Sequence, residues 1–250
     1  MLSDLWPDGH DRLILQRTAS TMDIARDHAR GGHAGPIWIM TPEQTAGRGR
    51  RGRAWTAPRG NLNATLLIRP DQPPAQAALL GFAAALAVAD LVGAAAPQAL
   101  TRLKWPNDVL VEGGKISGIL LESEGQGDRL AWLAVGIGVN LIAAPPPDPA
   151  AAHPPACLAD HADPPPTAER ALTTLAARFA RWRARFDAEG FAPLRDAWLA
   201  RAARLGETLE ARLPGETIRG TFADLDADGA LVLHTPTGAR RIAAADVHFP

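Results

Sequence analysis

The order of apolar and polar positions divides the first part of the chain into segments with strand or helix periodicity. Residues 12–18 alternate between the two kinds of side chain, which predicts a strand. Ser20 or Thr21 can cap the helix that follows, and Gly31-Gly32 ends it. The pattern then predicts a short buried strand, a loop rich in glycine and arginine, another strand and a long helix, over residues 36–41, 42–60, 61–69 and 73–93.

The middle of the chain is a run of strand-like segments. Pro106-Asn107-Asp108 and Gly113-Gly114 supply its first two turns. Because short turns rather than helices connect the neighbours, we predict an α+β fold with a mixed β-sheet and flanking helices. The four strands are predicted over residues 100–105, 109–112, 115–124 and 129–138.

The last part of the chain changes in composition and periodicity twice. Residues 143–166 contain nine prolines and predict an irregular surface segment. Apolar residues at three-to-four spacing predict a helix over 167–189, and a second helix covers about 191–205. After Gly206, short β segments separated by glycine turns predict a small barrel-like unit. We therefore expect two domains, residues 1–205 and 206–250.

Composition and charge narrow the class of protein. The hydrophobic fraction is 46% and the net charge is −1, which fits a globular protein and argues against bulk electrostatic binding of nucleic acid. A lone cysteine, Cys157, cannot form an internal disulfide. No basic segment precedes an apolar run at the N-terminus, and no stretch is expected to span a membrane: the alanine-rich run 75–96 predicts a buried helix. We expect a cytoplasmic protein.

The strongest chemical signal is the segment Gly47-Arg48-Gly49-Arg50-Arg51-Gly52-Arg53. Its four arginines carry +4, so the rest of the chain carries −1 − 4 = −5. Glycine lets the backbone approach a ligand, and the guanidinium fork of arginine fits phosphate and carboxylate. The segment suits a polyanion such as ATP. The alternative is an RNA-binding module built on the same loop.

Three further motifs carry candidate chemistry. In Lys104-Trp105-Pro106-Asn107-Asp108, a cation and a carboxylate four residues apart can hold a phosphate and its Mg²⁺, although an ordinary β-turn has the same composition. Lys115 begins an apolar strand, and Gly118 would let a flat ligand lie against that strand. In the segment 136–140, two glycines precede Asn140, which can pair with a purine edge or a ribose.

At these segments the chain resembles the biotin–protein ligase family, of the type without an N-terminal DNA-binding domain. The match is carried by GRGRRGRAW, KWPNDVL, GKISGILLE and GIGVN, at residues 47–55, 104–110, 114–122 and 136–140. The resemblance implies a catalytic fold like that of the lipoate ligases and class II synthetases, with a small C-terminal SH3-like β-barrel. It implies activation of biotin by ATP and transfer of the biotinoyl group to a carrier lysine.

The resemblance also implies a catalytic group, namely Lys115, Arg48, Lys104 and Asp108. Lys115 would hold the biotin carboxylate and the α-phosphate, and Asp108 would favour Mg²⁺ or orient Lys115. The implied biotin-binding residues are Ser20, Thr21, Gln44, Arg48, Gly49, Arg50, Lys115 and Gly118. The first three of these would contact the ureido ring of biotin. Met22 departs from the Asn that the family often has, so it is expected to contribute packing.

For ATP and the adenylate, the resemblance implies a second set of contacts. Trp55 would pack against the adenine, and the arginine loop would be mobile when empty and would order over the intermediate. The implied nucleotide-binding residues are Arg50, Arg51, Arg53, Trp55, Lys104, Asn107, Lys115 and Asn140. The only metal contact implied is Asp108 to Mg²⁺.

The implied partner is the biotin carboxyl carrier protein domain of a biotin-dependent carboxylase, with no DNA and no membrane. The sequence does not determine the oligomeric state, and a homodimer is one of the possibilities. One alternative is a lipoate–protein ligase, but the Gly-Gly-Gly run with a nearby histidine that is usual there is absent. The seven histidines lack metal-ligand spacing and are expected at the surface or at helix caps.

Overall fold

The structure is a computed structural model that describes residues 5–149 and 151–249. The predictions for residues 1–4, 150 and 250, including the outermost ends of the two predicted domains, lie outside the described residues.

A seven-stranded mixed sheet forms the larger part of the molecule. Its strands run in the order β1-β2-β3-β7-β6-β5-β4. β1 and β2 pair in parallel, and every other neighbouring pair is antiparallel. The strands are β1 (Asp11–Ile14), β2 (Ile37–Thr41), β3 (Leu62–Ile68), β4 (Thr101–Lys104), β5 (Asp108–Val111), β6 (Gly114–Gln126) and β7 (Arg129–Val139).

Helices cover both faces of this sheet because its strands present apolar side chains alternately to each side. On one face, Ile37, Ile39 and Leu67 pack against α1. On the other face, Trp38 and Met40 belong to the main core with the remaining helices. The helices are α1 (Thr21–Arg30), α2 (Pro74–Ala77), α3 (Leu80–Ala95), α4 (Ala168–Glu189) and α5 (Ala192–Leu199), with 3₁₀ turns at Arg50–Gly52 and Leu158–Asp160.

A second, smaller sheet follows, and all its neighbouring strands are antiparallel. Its order is β11-β10-β9-β8-β12. Together with the mixed sheet, this confirms the predicted fold class. Its strands are β8 (Thr208–Leu213), β9 (Glu216–Leu225), β10 (Leu231–Thr235), β11 (Gly238–Ile242) and β12 (Asp246–His248).

Three local predictions need correction. The helix predicted over 73–93 breaks near Leu79, where the amides bond three residues back rather than four and tighten the turn. The hairpin predicted at Gly113-Gly114 turns one residue earlier, at Glu112-Gly113, where both residues have positive φ as a two-residue hairpin loop requires. The connection between the predicted strands 115–124 and 129–138 is shorter than expected, since β6 continues to Gln126.

We expected no stretch that is long and apolar enough to span a membrane, but one stretch meets both criteria. Pro74–Ala95 has a mean hydropathy of 2.0 and sufficient length, because Asp90 is its only charged residue. The protein itself covers 72% of this stretch, however, and most side chains of α3 lie in the main core. Its burial agrees with the prediction of a buried core helix.

Candidate active site

A cavity of about 650 Å³ lies between the α1 side of the mixed sheet, the arginine loop and strands β8 and β12. Its volume is within the usual range for small-molecule sites. All but two of the predicted site residues line it, and the exceptions are Arg51 and Asn140. The lining residues that were predicted are Ser20, Thr21, Gln44, Arg48, Gly49, Arg50, Arg53, Trp55, Lys104, Asn107, Asp108, Lys115 and Gly118.

One end of the cavity is polar and rigid. Because β1 and β2 are parallel, their carboxyl ends meet at one edge and bring Ser20-Thr21 beside Gln44. The Gln44 Oε1 accepts hydrogen bonds from the Thr21 amide at 2.9 Å and from Thr21 Oγ1 at 3.2 Å. Ser20 is 1% exposed, and its Oγ has no hydrogen-bond partner among the described residues. A buried free hydroxyl beside a cavity suits a polar ligand.

The arginine loop folds as a small hairpin over the cavity. The Gly49 amide donates to the Arg53 carbonyl at 2.7 Å, and the Trp55 amide donates to the Gly47 carbonyl at 2.9 Å. Arg51, at the tip, has the left-handed backbone conformation, with φ of 56°. Backbone hydrogen bonds thus close the loop on both sides of its tip.

The side chain of Arg48 is paired with carboxylates of the same face. Its guanidinium donates to both oxygens of Asp23, at 2.8 and 2.9 Å, and lies 3.6 Å from Glu122. The hydrogen bond from Arg48 holds the pKa of Asp23 below its ordinary value. Neither carboxylate was predicted as part of the site, because Asp23 falls outside the four motifs and Glu122, the last residue of the third motif, was given no role.

The other arginines of the loop also have partners. Arg50 Nη1 donates to Asn107 Oδ1 at 3.3 Å, and Arg51 and Arg53 both bind Asp246 of β12. Burial lowers the pKa of Arg50, with the positive charge of Arg51 adding to the effect. Three of the four arginines thus pair with carboxylates, two of them with the same one, whereas Arg50 bonds to a neutral amide.

Two lysines flank one carboxylate in the wall of the cavity. Lys115 Nζ lies 2.6 Å from Asp108 Oδ1, and Lys104 Nζ lies 3.8 Å from Asp108 Oδ2. Lys104 is 6% exposed; its burial lowers the pKa of the ammonium group, and Asp108 opposes that shift. These are the only two lysines in the chain, a signal in the sequence that would have marked them independently of any motif.

Both ammonium groups bind Asp108, so this carboxylate can hold Lys115 in a fixed orientation. Among the described residues, no group of three or more His, Cys, Asp or Glu side chains could hold a metal ion. The protein therefore offers Mg²⁺ no cage of its own here, and a single carboxylate fits only an ion that arrives with substrate phosphates.

Trp55 covers Gly118, which was expected to lie open to a flat ligand, and also Gly138 of β7. A Cβ atom on Gly118 would lie 3.1 Å from the indole, and one on Gly138 would lie 2.3 Å from it. The indole Nε1 donates to Asn63 Oδ1 at 3.2 Å. The glycines are thus explained by a protein side chain, and Trp55 itself presents the flat surface on this side of the cavity.

The structure does not bring Asn140 to the cavity. Asn140 is 2% exposed, and its side-chain amide donates to the Ala156 carbonyl at 3.0 Å. Its own amide and carbonyl bond to Ile116 and Leu158. It ties the proline-rich segment to the sheet, which corrects the expectation of a nucleotide contact in this conformation.

His153 was not predicted as part of the site, but it lines the cavity. Burial and the nearby charge of Lys104 lower the pKa of His153 to about 4. Its Nε2 is buried without a hydrogen-bond partner among the described residues, and its ring meets Phe249 edge-on at 4.8 Å. This corrects the expectation of a surface or capping role, since the proline-rich segment folds back beside Lys115.

Comparison with known families gives two matches. Residues 14–140 match the family described as Biotin/lipoate A/B protein ligase family. Residues 205–249 match the Biotin protein ligase C terminal domain. The first match contains the four motifs, and the second contains all five strands of the smaller sheet.

Two curated relatives align over nearly the whole chain. The biotin–[acetyl-CoA-carboxylase] ligase of Paracoccus denitrificans is 48% identical, with coverage of 94% of this chain and 99% of that protein. The ligase of the same name from Mycobacterium tuberculosis is 34% identical, with coverage of 94% and 87%. Among solved structures, the biotin protein ligase from Aquifex aeolicus in complex with biotin and ATP has a TM-score of 0.80 at 23% identity, over 95% of this chain and 97% of that one.

Proposed function

The chain belongs to the biotin/lipoate A/B protein ligase family, and on that premise we propose that it is a biotin–protein ligase. It activates biotin with ATP as biotinoyl-5′-AMP and transfers the biotinoyl group to a lysine of a biotin carboxyl carrier domain. The observation that carries this proposal is one cavity with a rigid polar end at Ser20, Thr21 and Gln44 and a cationic wall at Lys104 and Lys115.

The polar end fits the ureido ring of biotin. The free hydroxyl of Ser20 can bond to the ring, and Thr21 is held in place by Gln44 and by a 2.8 Å bond from Thr65. Met22 is 4% exposed, packs against Gly136 and also lines the cavity. An acyl chain that runs from this end along the sheet leads toward Lys115.

The cationic wall addresses the main obstacle in the first step, which joins two anions. The biotin carboxylate attacks the α-phosphorus of ATP, and pyrophosphate leaves. Lys115 and Lys104 offset the repulsion between the reactants, and Asp108 keeps Lys115 in position. Mg²⁺ accompanies the nucleotide phosphates. The substrate supplies the nucleophile, so positioning and charge are what the protein contributes.

The arginine loop protects the product. A mixed anhydride is hydrolysed where water reaches it, and the loop covers the cavity from residues 47 to 55. Arg50 and Arg53 face the cavity and can bind the adenylate phosphate, while Arg48 holds the loop to α1 through Asp23. In the second step, the neutral amine of the carrier lysine attacks the acyl carbon, and AMP leaves.

Two finer points belong to the proposal. The enzyme acts in the cytoplasm, where ATP is available, and its lone Cys157 bonds to Asp160 and needs no oxidising compartment. DNA binding is not part of the function. The RNA-binding alternative uses the same basic loop, but three of its four arginines already pair with the carboxylates Asp23, Glu122 and Asp246.

The test is incubation of the protein with biotin, ATP, Mg²⁺ and an isolated carrier domain. We expect the mass of the carrier to rise by one biotinoyl group, and no change in a carrier whose target lysine is replaced by arginine. Lipoate supplied in place of biotin should give no product. Modification by lipoate and not by biotin would contradict the proposal. Because the enzyme has only two lysines, self-modification is readily distinguished.

A further inference from the structure

The smaller sheet reaches the cavity through Asp246, the first residue of β12. Its Oδ2 accepts a hydrogen bond from Arg51 Nη1 at 2.5 Å and another from Arg53 Nη2 at 2.6 Å. The partners lie 195 and 193 positions apart in the sequence. One carboxylate of the second sheet therefore holds two arginines of a loop that belongs to the first.

The contact is made at the point where the backbone of the loop is least favourable. Arg51 has a φ of 56° and a ψ of 33°, a left-handed conformation that a non-glycine residue adopts only when its surroundings hold it. The 3₁₀ turn that contains Arg51 has no buried residue, so packing does not hold it. Its ion pair to Asp246 is, with the bond from Arg50 to Asn107, a contact that holds the tip of the loop toward the cavity.

The distribution of charge around the loop also indicates that Asp246 holds it in place. Arg50, Arg51 and Arg53 lie close together beside Lys104, and like charges at such distances repel. Asp246 is the carboxylate that opposes this repulsion at the tip of the loop. Without it, movement of the loop away from the wall of the cavity would lower the electrostatic free energy.

We propose that Asp246 is a positioning residue that clamps the arginine loop over the cavity before the nucleotide binds. Arg53, which lines the cavity, has five donors and can keep the bond to Asp246 while it binds phosphate. ATP then meets an ordered loop, and less of its binding free energy goes into ordering. This inference rests on the proposed function for its ligand, but the clamp itself is a property of the free protein.

The first experiment needs no ligand. Trypsin cleaves after arginine, so the four arginines of the loop report how often it opens. We expect loop cleavage in full-length Asp246→Asn to be about fivefold faster than in wild type, the size expected for partly exposed ion pairs. Salt should accelerate cleavage of wild type toward the rate of the variant. Equal rates in the two proteins would overturn the clamp.

Glu216→Gln is the matched control. It removes the same charge from the same sheet, where Glu216 pairs with Arg240 outside the cavity. Its loop should be cleaved at the wild-type rate. The melting temperatures of both variants are measured first, and Asp246→Glu serves as a second variant that keeps the carboxylate and should restore much of the protection.

The second experiment addresses catalysis. In adenylate formation, Asp246→Asn should raise the KM for ATP about fivefold, by the same reasoning, with little change in kcat or in the KM for biotin. Asp246→Glu should recover most of this loss. A lower KM for ATP would mean that the carboxylate competes with phosphate, and would overturn the proposal. If wild type itself forms no adenylate, the proposed function fails, while the cleavage experiment still decides the clamp.

Discussion

At the scale of single residues, the choice between lysine and arginine distinguishes the cavity from the rest of the molecule. Of 26 Lys and Arg residues, two are lysines, so 26 − 2 = 24 are arginines, and both lysines contact Asp108. Lysine is a compact point charge on a flexible stem, whereas arginine is a broad planar fork. A compact charge suits the narrow space between a carboxylate and a phosphate oxygen.

Lys115→Met should leave the fold intact, because the side chain is about one third exposed and Asp108 keeps Lys104 as a partner. Adenylate formation should fall about 10²- to 10³-fold, as when one preorganised donor to a transition state is lost. Pyrophosphate release without carrier measures this step, and thermal unfolding checks the fold. Near-normal release would remove Lys115 from the mechanism.

The lowered pKa of His153 makes a prediction about stability against pH. The pKa falls from 6.5 to about 4 on folding, so on acidification the unfolded chain takes up the proton first. The stabilising contribution is complete above pH 6.5 and is progressively lost as the pH falls to 4. Denaturant unfolding at several pH values should show a shallower decline for His153→Gln. Identical declines would show that His153 titrates normally.

At the scale of elements, an irregularity in β6 positions the key lysine. Its register against β5 shifts between Val109 and Leu110, so that one residue of β6 is unpaired. Lys115 and Gly118 are three positions apart and would face opposite sides of a regular strand. The bulge brings both to the cavity and turns Ile116 into the main core.

The two glycines of β7 offer a matched pair of substitutions. A Cβ atom at Gly138 would lie 2.3 Å from the rigid Trp55 indole, whereas one at Gly136 would lie 2.7 Å from the flexible Met22 side chain. Gly138→Ala should lower the free energy of unfolding by about 1–3 kcal/mol and weaken ATP binding. Gly136→Ala should lower the free energy of unfolding by a smaller amount. Denaturant unfolding and nucleotide titration measure both, and the reverse order would contradict the role given to Trp55.

At the scale of the whole molecule, the two sheets share one core. Phe82 of α3 packs against Trp198, which meets Phe222 of the smaller sheet. Trp105 Nε1 donates a buried 3.0 Å hydrogen bond to the Gly229 carbonyl. This joint places β12 beside the arginine loop, so the smaller sheet helps to shape the cavity.

Trp105→Phe tests this joint. It removes the hydrogen bond to Gly229 and should lower the free energy of unfolding by about 1–3 kcal/mol, because a buried carbonyl loses its partner. Unfolding followed by fluorescence and by circular dichroism should remain a single coincident transition. Two separate transitions would show that the sheets fold independently.

The sequence by itself determined the order of strands and helices, the glycine-rich turns and the four motifs that line the cavity. These depend on the periodicity and backbone preferences of neighbouring residues, which can be read along the chain. Only the tertiary structure decided which carboxylates hold the arginines, which face Lys115 occupies, and why Asn140 is buried while His153 reaches the cavity. Those outcomes depend on contacts between residues far apart in the chain, as Arg51 and Asp246 show, and no local pattern encodes such contacts.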